Sequence, residues 1–232
     1  TLGTSNYRAG VNAGNSIASG GNFNVCVGDE AGTAINTGDQ NTAVGYSAGA
    51  AVNTGVKNTL IGALAGDAIT DADFNVAIGV EALTTNVLGS KSTAIGTGAL
   101  AVQNPSSAAD MLNTAVGFDA GVAVTTSVKN TLIGSLAGDG ITSGDGLNVA
   151  VGVGALGAAS NTTQENVAIG NDALSTEDGH GRNVAVGFEA LKTLNAGALG
   201  LNTAVGQQAG KAMTTGVENT IIGSLAGDAL TD

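Results

Sequence analysis

The chain has little of almost everything from which a conventional core or a chemical site is built. Its 232 residues include no Trp, one Pro, one Cys and one His, and only 3% are aromatic. Without large rings a globular core of bulky side chains is not available, so small residues must stack instead. A lone cysteine excludes an internal disulfide framework. Seven Lys and Arg stand against nineteen Asp and Glu, a formal charge of −12. That balance argues against nucleic acid or an anionic membrane surface as partner. No apolar stretch approaches the ~20 residues of a membrane-crossing helix, so membrane insertion of this segment is not expected. The chain starts at Thr1 rather than Met, which suggests a processed, trimmed or partial polypeptide.

Glycine is abundant, with 38 residues, and its placement is periodic. A nine-residue phrase, Asn-Thr/Val-Ala-Val/Ile-Gly-x-x-Ala-Gly/Leu, starts at Asn6, Asn24, Asn41, Asn58, Asn75, Ser92, Asn113, Asn130, Asn148, Asn166, Asn183, Asn202 and Asn219, at steps of 17 to 21 residues. Periods of this size mean a solenoid. From the second copy onward, place 2 of the phrase is Thr or Val and place 4 is Val or Ile, strand formers at period two. Place 5 is always Gly, and a helix would lose about 1 kcal/mol at each such residue. The expected fold is therefore all-β, a parallel β-solenoid of about thirteen rungs filling residues 1–232 as one repeat domain. Each rung is a short strand, a glycine corner and a loop back. At roughly 4.8 Å per rung, thirteen rungs make a rod on the order of 60 Å long.

The residues expected to carry this repeat are Asn41, Val44, Gly45 and Ala48, with counterparts Asn58, Ile61, Gly62 and Ala65, and again Asn113, Val116, Gly117 and Ala120. The asparagines are expected to stack as a hydrogen-bonded amide ladder. Places 2 and 4 are expected to line the core. Where place 9 is Gly, an apolar residue follows at place 12, as at Ile35 and Ile69; where place 9 is Leu, place 12 mostly holds another type, as at Asn86 and Glu177. One core side chain is thus supplied by two routes, which keeps interior volume constant. A rung pair at Asn41 and Asn58 recurs at Asn113 and Asn130 and at Asn202 and Asn219, so the chain grew by duplicating blocks.

Place 3 is apolar in every copy after the first, and it faces away from places 2 and 4. A strand apolar on both faces is buried on both. Cys26, Leu60, Leu132 and Ile221, all at place 3, are therefore expected at contacts between copies in a homotrimer. Head-to-tail stacking is the other form of self-association considered, because joining Asp232 to Thr1 of another copy completes a 19-residue rung.

The phrase resembles the repeats of YadA-like heads of trimeric autotransporter adhesins. It is more similar still to the NTA(V/I)GxxAL/G arrays of phage tail-fibre and related bacterial fibre proteins. The resemblance spans Asn6 to Asp232, although the repeat is longer here than in the adhesin heads. It implies a left-handed β-roll, three chains, an extracellular, cell-surface or virion location, and a structural or adhesive role. Host-cell surface glycans or proteins would then be partners.

Motifs that could carry chemistry read as parts of rungs, and no catalytic, cofactor-binding or metal-binding residue is expected. Gly152 to Gly157 spells GxGxxG, but a dinucleotide site needs a helix to open there, and Gly152 is a place-5 glycine. Gly206 to Lys211 has the wrong spacing for a P-loop. Asp67, Asp139 and Asp228 repeat too far apart to share an ion. His180 and Cys26 are eight rungs apart, counted from the phrase at Asn24 to that at Asn166. The loops Gln103 to Leu112 and Leu194 to Leu201 are candidates for surface contact or inert length variation in equal measure. Two alternatives remain beside a fibre. A left-handed β-helix acyltransferase shares the Val/Ile-Gly-x-x-Ala unit, and an ice-binding solenoid would need an outward Thr ladder. The free Thr/Val exchange at place 2 favours an interior site over such a ladder.

Overall fold

From the second copy onward the phrase folds its Thr/Val-x-Val/Ile triplet into a three-residue strand, because β-branched side chains fit a pleated surface on which like neighbours stack. A computed structural model describes residues 3–157, 164–177, 181–197 and 199–231. His180, Thr1 and Asp232, and the chain junction proposed through the last two, lie outside those residues. The chain divides into two compact units, Thr1–Leu112 and Asn113–Asp232.

The first unit holds β1 (Tyr7–Ala9), β2 (Val25–Val27), β3 (Thr42–Val44), β4 (Thr59–Ile61), β5 (Val76–Ile78) and β7 (Thr93–Ile95), parallel in that order. It also holds a separate parallel pair, β6 (Gly89–Ser90) with β8 (Ala109–Asp110). The second unit holds β9 (Thr114–Val116), β10 (Thr131–Ile133), β11 (Val149–Val151), β12 (Val167–Ile169), β13 (Val184–Val186), β14 (Thr203–Val205) and β15 (Thr220–Ile222), again parallel and sequential. Register follows the phrase place for place: Thr42 pairs Thr59, Ala43 pairs Leu60 and Val44 pairs Ile61. The fold is a parallel β-solenoid with one strand of the main sheet to a rung, and β6 and β8 add a second short strand to the last two rungs of the first unit.

Between strands the chain runs through linked turns. In the rung of Asn41, Ala48, Ala50 and Val52 donate backbone N–H groups to the carbonyls of Gly45, Ser47 and Gly49. Ser47 and Gly49 lie at φ near +55°, the left-handed region. Gly45 itself lies at φ +135°, and a Cβ there would stand 2.5 Å from the Gly62 carbonyl oxygen of the next rung. Glycine at place 5 is thus required twice, by its dihedral and by the close stacking of corner on corner.

The amide ladder forms, and it does more than stack. Asn58 Nδ2 donates 3.1 Å to Asn41 Oδ1 and 2.9 Å to the Ala72 carbonyl on the returning arm of its own rung. Its Oδ1 accepts the backbone N–H of Asn75 at 3.0 Å. Asn24 and Asn41 close their rungs in the same way onto Gly38 and Gly55, as do Asn113 and Asn202 in the second unit onto Ser127 and Gly216. Each of these five asparagines therefore closes its own rung and ties it to the next.

That geometry reverses the expected assignment of faces. An asparagine at place 1 can reach the returning arm only if it points inward, and by the two-residue alternation of a strand place 3 then points inward too. Ala43, Leu60, Ala77 and Ala94 are buried, as are Ala115, Leu132, Ala150 and Ala168. Cys26, Leu60, Leu132 and Ile221, expected at contacts between copies, instead fill the interior of a single chain, with at most 7% of their surface exposed. Val44 and Val116, expected in the core, are half-buried on the outer face, and Ile61 is exposed there. Ala48, Ala65 and Ala120 at place 8 line the interior.

Place 12 is interior in both rung types. Ile35, Ile69, Val124 and Ile141 are buried, and so are the polar Asn86, Gln103 and Glu177. The interior volume is shared with place 3 as well. Every rung with a residue larger than Ala at place 3, namely Arg8, Cys26, Leu60, Leu132 and Ile221, has glycine at place 9. A Cβ on Gly66 would lie 2.7 Å from Leu60 Cδ2 and 2.9 Å from Ile69 Cδ1. Places 3, 9 and 12 therefore compete for one space inside the rung.

Candidate functional site

The inner side chains are committed to closing the coil, so functional contacts fall to the outer surface. Cys26 shows how little chemistry the interior offers. Burial pushes its thiol up to about 11, against the opposing field of Arg8, and a thiol held so far from ionisation is a poor nucleophile. It is a packed side chain, as the alanines at the same place are.

The chemical motifs settle into rung geometry. Gly152 lies at φ +134° directly after β11 and continues into turns through Gly157, without the helix that a pyrophosphate would need. Gly206 to Lys211 forms the same corner after β14, and Lys211 Nζ pairs 2.6 Å from Glu189 Oε2. Asp67 and Asp139 are half-buried and Asp228 is exposed. Asp67 accepts the Thr84 hydroxyl at 2.7 Å. Burial raises the Asp139 carboxyl above its ordinary value, opposed by backbone N–H groups and assisted by Asp119. Among the described residues no three His, Cys, Asp or Glu converge in a metal-binding group.

The two candidate loops are only partly surface. In the first, Gln103, Pro105 and Met111 are buried, while Asn104 and Ser106 to Ala108 are exposed. Gln103 Oε1 accepts the hydroxyl of Ser92, the residue that replaces the ladder asparagine in this rung. The ten residues thus complete a rung and add β8. In the second loop, Leu194 and Ala196 are buried, and Leu199 and Leu201 are exposed.

The aromatic residues form a pattern that sequence reading missed. All six, Tyr7, Phe23, Tyr46, Phe74, Phe118 and Phe188, are 45 to 61% exposed. Tyr7 is at place 2; Phe23 and Phe74 immediately precede the asparagine, at place 0; Tyr46, Phe118 and Phe188 are at place 6. Places 0, 2, 4 and 6 hold eighteen of the twenty-four exposed large hydrophobics of the described residues. In each unit, then, the strand's outer side is an apolar band. Parity was the available signal: an inward asparagine ladder already sends the even places outward.

An outward place 2 also removes the ground on which the ice-binding alternative was set aside. Thr42, Thr59 and Thr93 are half-exposed in the first unit, interrupted by Val25 and Val76. Compared with protein-family models, with curated proteins and with solved structures, the chain matches none.

Proposed function

We propose that the chain is a non-catalytic structural segment of an extracellular or virion fibre, a stiff solenoid that projects or provides an adhesive surface and works as an assembly of copies. The observation that carries this reading is the assignment of side chains. Asparagine, alanine and the interior leucines and isoleucines all serve closure of the rung, and in each unit the apolar surplus lies on an outer band. The resemblance to adhesin heads and tail-fibre arrays points the same way. Immunogold electron microscopy of the source cells or virions tests it: label should decorate surface appendages or tail fibres. Label confined to the cell interior overturns it.

Ice binding is the second reading, favoured by the outward threonines at place 2. Exposed rings at places 0 and 6 interrupt the flat surface such binding uses. Thermal hysteresis at micromolar protein distinguishes the two, and none is expected.

A further inference from the structure

We infer that the open end of the coil at β1 is a carboxylate-binding site built from Asn6 and Arg8. The repeat itself supplies the template. Down the ladder, one asparagine Oδ1 accepts two donors from the next asparagine, its backbone N–H and one Nδ2 hydrogen. Asn24 Oδ1 takes them from Asn41 at 2.8 and 3.2 Å, and Asn41 Oδ1 takes them from Asn58 at 3.0 and 3.1 Å. In the second unit Asn113 Oδ1 takes them from Asn130 at 2.9 and 3.1 Å. Each pair of donors is thus shaped around a single oxygen.

Asn6 is set like its counterparts. Ser5 before it lies at φ 58°, as Phe23 and Gln40 lie at 57° and 59° before Asn24 and Asn41. Asn6 Nδ2 closes its own rung onto the Gly21 carbonyl at 2.8 Å, and its Oδ1 accepts the Asn24 N–H at 2.8 Å. Its backbone N–H and second amide hydrogen therefore face the open end, where none of the described residues accepts them. A cavity of about 160 Å³ lies there, lined by Gly3, Ser5, Asn6, Arg8 and Ile17.

Arg8 decides which kind of oxygen suits the site. It stands at place 3, on the inner side of β1, and at this end of the coil it is exposed. Its Nη1 donates to the Gly14 carbonyl at 3.0 Å, which leaves the other N–H groups of the fork to hold an anion. No other Lys or Arg precedes Lys57. The first two carboxylates of the chain are engaged at the corners: Asp29 accepts the Val11 N–H at 3.0 Å, and Glu30 accepts the Asn12 amide at 2.8 Å and the Thr33 hydroxyl at 3.1 Å. An amide oxygen would satisfy the Asn6 donors but not the charge. A further rung of the phrase would also cover the guanidinium with an apolar place 3, since every other copy has Cys, Ala, Leu or Ile there, and desolvating an unpaired cation is costly. A carboxylate answers both demands. One oxygen accepts from the Asn6 pair, the guanidinium balances the charge, and Ile17 gives an apolar wall to a short carbon chain.

The carboxylate is either free or carried by a polypeptide. β1 is the edge strand of its sheet, so a chain-borne acid gains backbone hydrogen bonds that a free acid lacks.

NMR titration of the isotopically labelled full chain with sodium propionate, against sodium chloride at equal ionic strength, tests the site. The Asn6 backbone and side-chain amide resonances should shift and saturate at a Kd on the order of 1 to 10 mM, while those of Asn58 stay in place. Arg8→Gln should weaken binding about tenfold or more, and Arg8→Lys, which keeps the charge, should fall between. Two pentapeptides with blocked ends separate the sources: Asp-Thr-Ala-Val-Gly should bind about tenfold tighter than Asn-Thr-Ala-Val-Gly. An Asp peptide that also outbinds propionate assigns the site to a chain-borne carboxylate, and one that does not assigns it to a free acid. No saturable shift at Asn6 with either acid, the same shift with chloride alone, undiminished binding by Arg8→Gln, or equal binding of the two peptides overturns the proposal.

Discussion

At the scale of single residues, two positions in every rung admit almost no substitute. A methyl group at Gly45 would meet the backbone of Gly62, with the Gly62 carbonyl carbon 2.6 Å away, and neither chain can yield without moving a rung. Gly45→Ala is expected to cost about 3 kcal/mol or more, combining dihedral strain with a backbone clash, read as a fall in urea midpoint. Asn58→Ala should be comparably severe for a different reason. It removes the partners of the Ala72 carbonyl and the Asn75 N–H at a buried site, and leaving two such groups unpaired costs roughly 2 to 4 kcal/mol. A loss under 1 kcal/mol by chemical denaturation would show that water takes the asparagine's place. Both residues were legible from the phrase itself. What it did not reveal at Cys26 or Leu60 was direction, because an apolar residue on a strand suits either face.

At the scale of the rung, stability depends on how one space is divided. Leu60→Ala is expected to cost about 2 to 5 kcal/mol by opening a cavity, and Gly66→Leu to overpack against Leu60 and Ile69. Together the two changes approach the composition of the following rung, Ala77 with Leu83. The double variant should therefore be more stable than the sum of the single losses by about 1 kcal/mol or more. Strict additivity in a double-mutant cycle would mean that the side chains do not share the space.

Neighbouring rungs are also joined across their outer edge, where Glu189 binds Lys192 at 2.7 Å, Lys211 at 2.6 Å and Gln208 at 2.8 Å. Hydrogen bonds from Lys192, Lys211 and Gln208, in that order, hold the Glu189 carboxyl down to about 2 from an ordinary 4.5. A folded-state value below the unfolded one stabilises the fold above the unfolded value, and that contribution is lost as pH falls through the folded one. The melting temperature should therefore drop between about pH 4.5 and pH 2, and Glu189→Gln should flatten that part of the profile. Asp139 has the opposite sign. Desolvation penalises its charged form, and the penalty is relieved in acid, so Asp139→Asn should raise the melting temperature at pH 7.

At the scale of the whole molecule, the repeat makes stability nearly a sum of rung and neighbour terms, as in other solenoids. Deleting residues 58–74, one complete rung, should leave a folded protein with one strand fewer and an unchanged spectrum per residue. Deleting eight residues from the same rung breaks the asparagine ladder and the corner column together, and should leave an insoluble or unfolded product. Expression and thermal melts of the two deletions check this.

The sequence by itself determined the period, the strand triplets, the glycine corners and the amide ladder, since each is a requirement repeated along the whole chain. Repetition in register turns a local preference into a column. Only the tertiary structure decided which side of the strand the coil closes on. That depends on where the returning arm passes, and its carbonyls at Gly38, Gly55 and Ala72 are reached by the inward asparagines. With that side fixed, Leu60 and Leu132 became interior, Val44 and Ile61 came to the surface, and the scarce aromatic residues fell on the outer side of the strands in each unit.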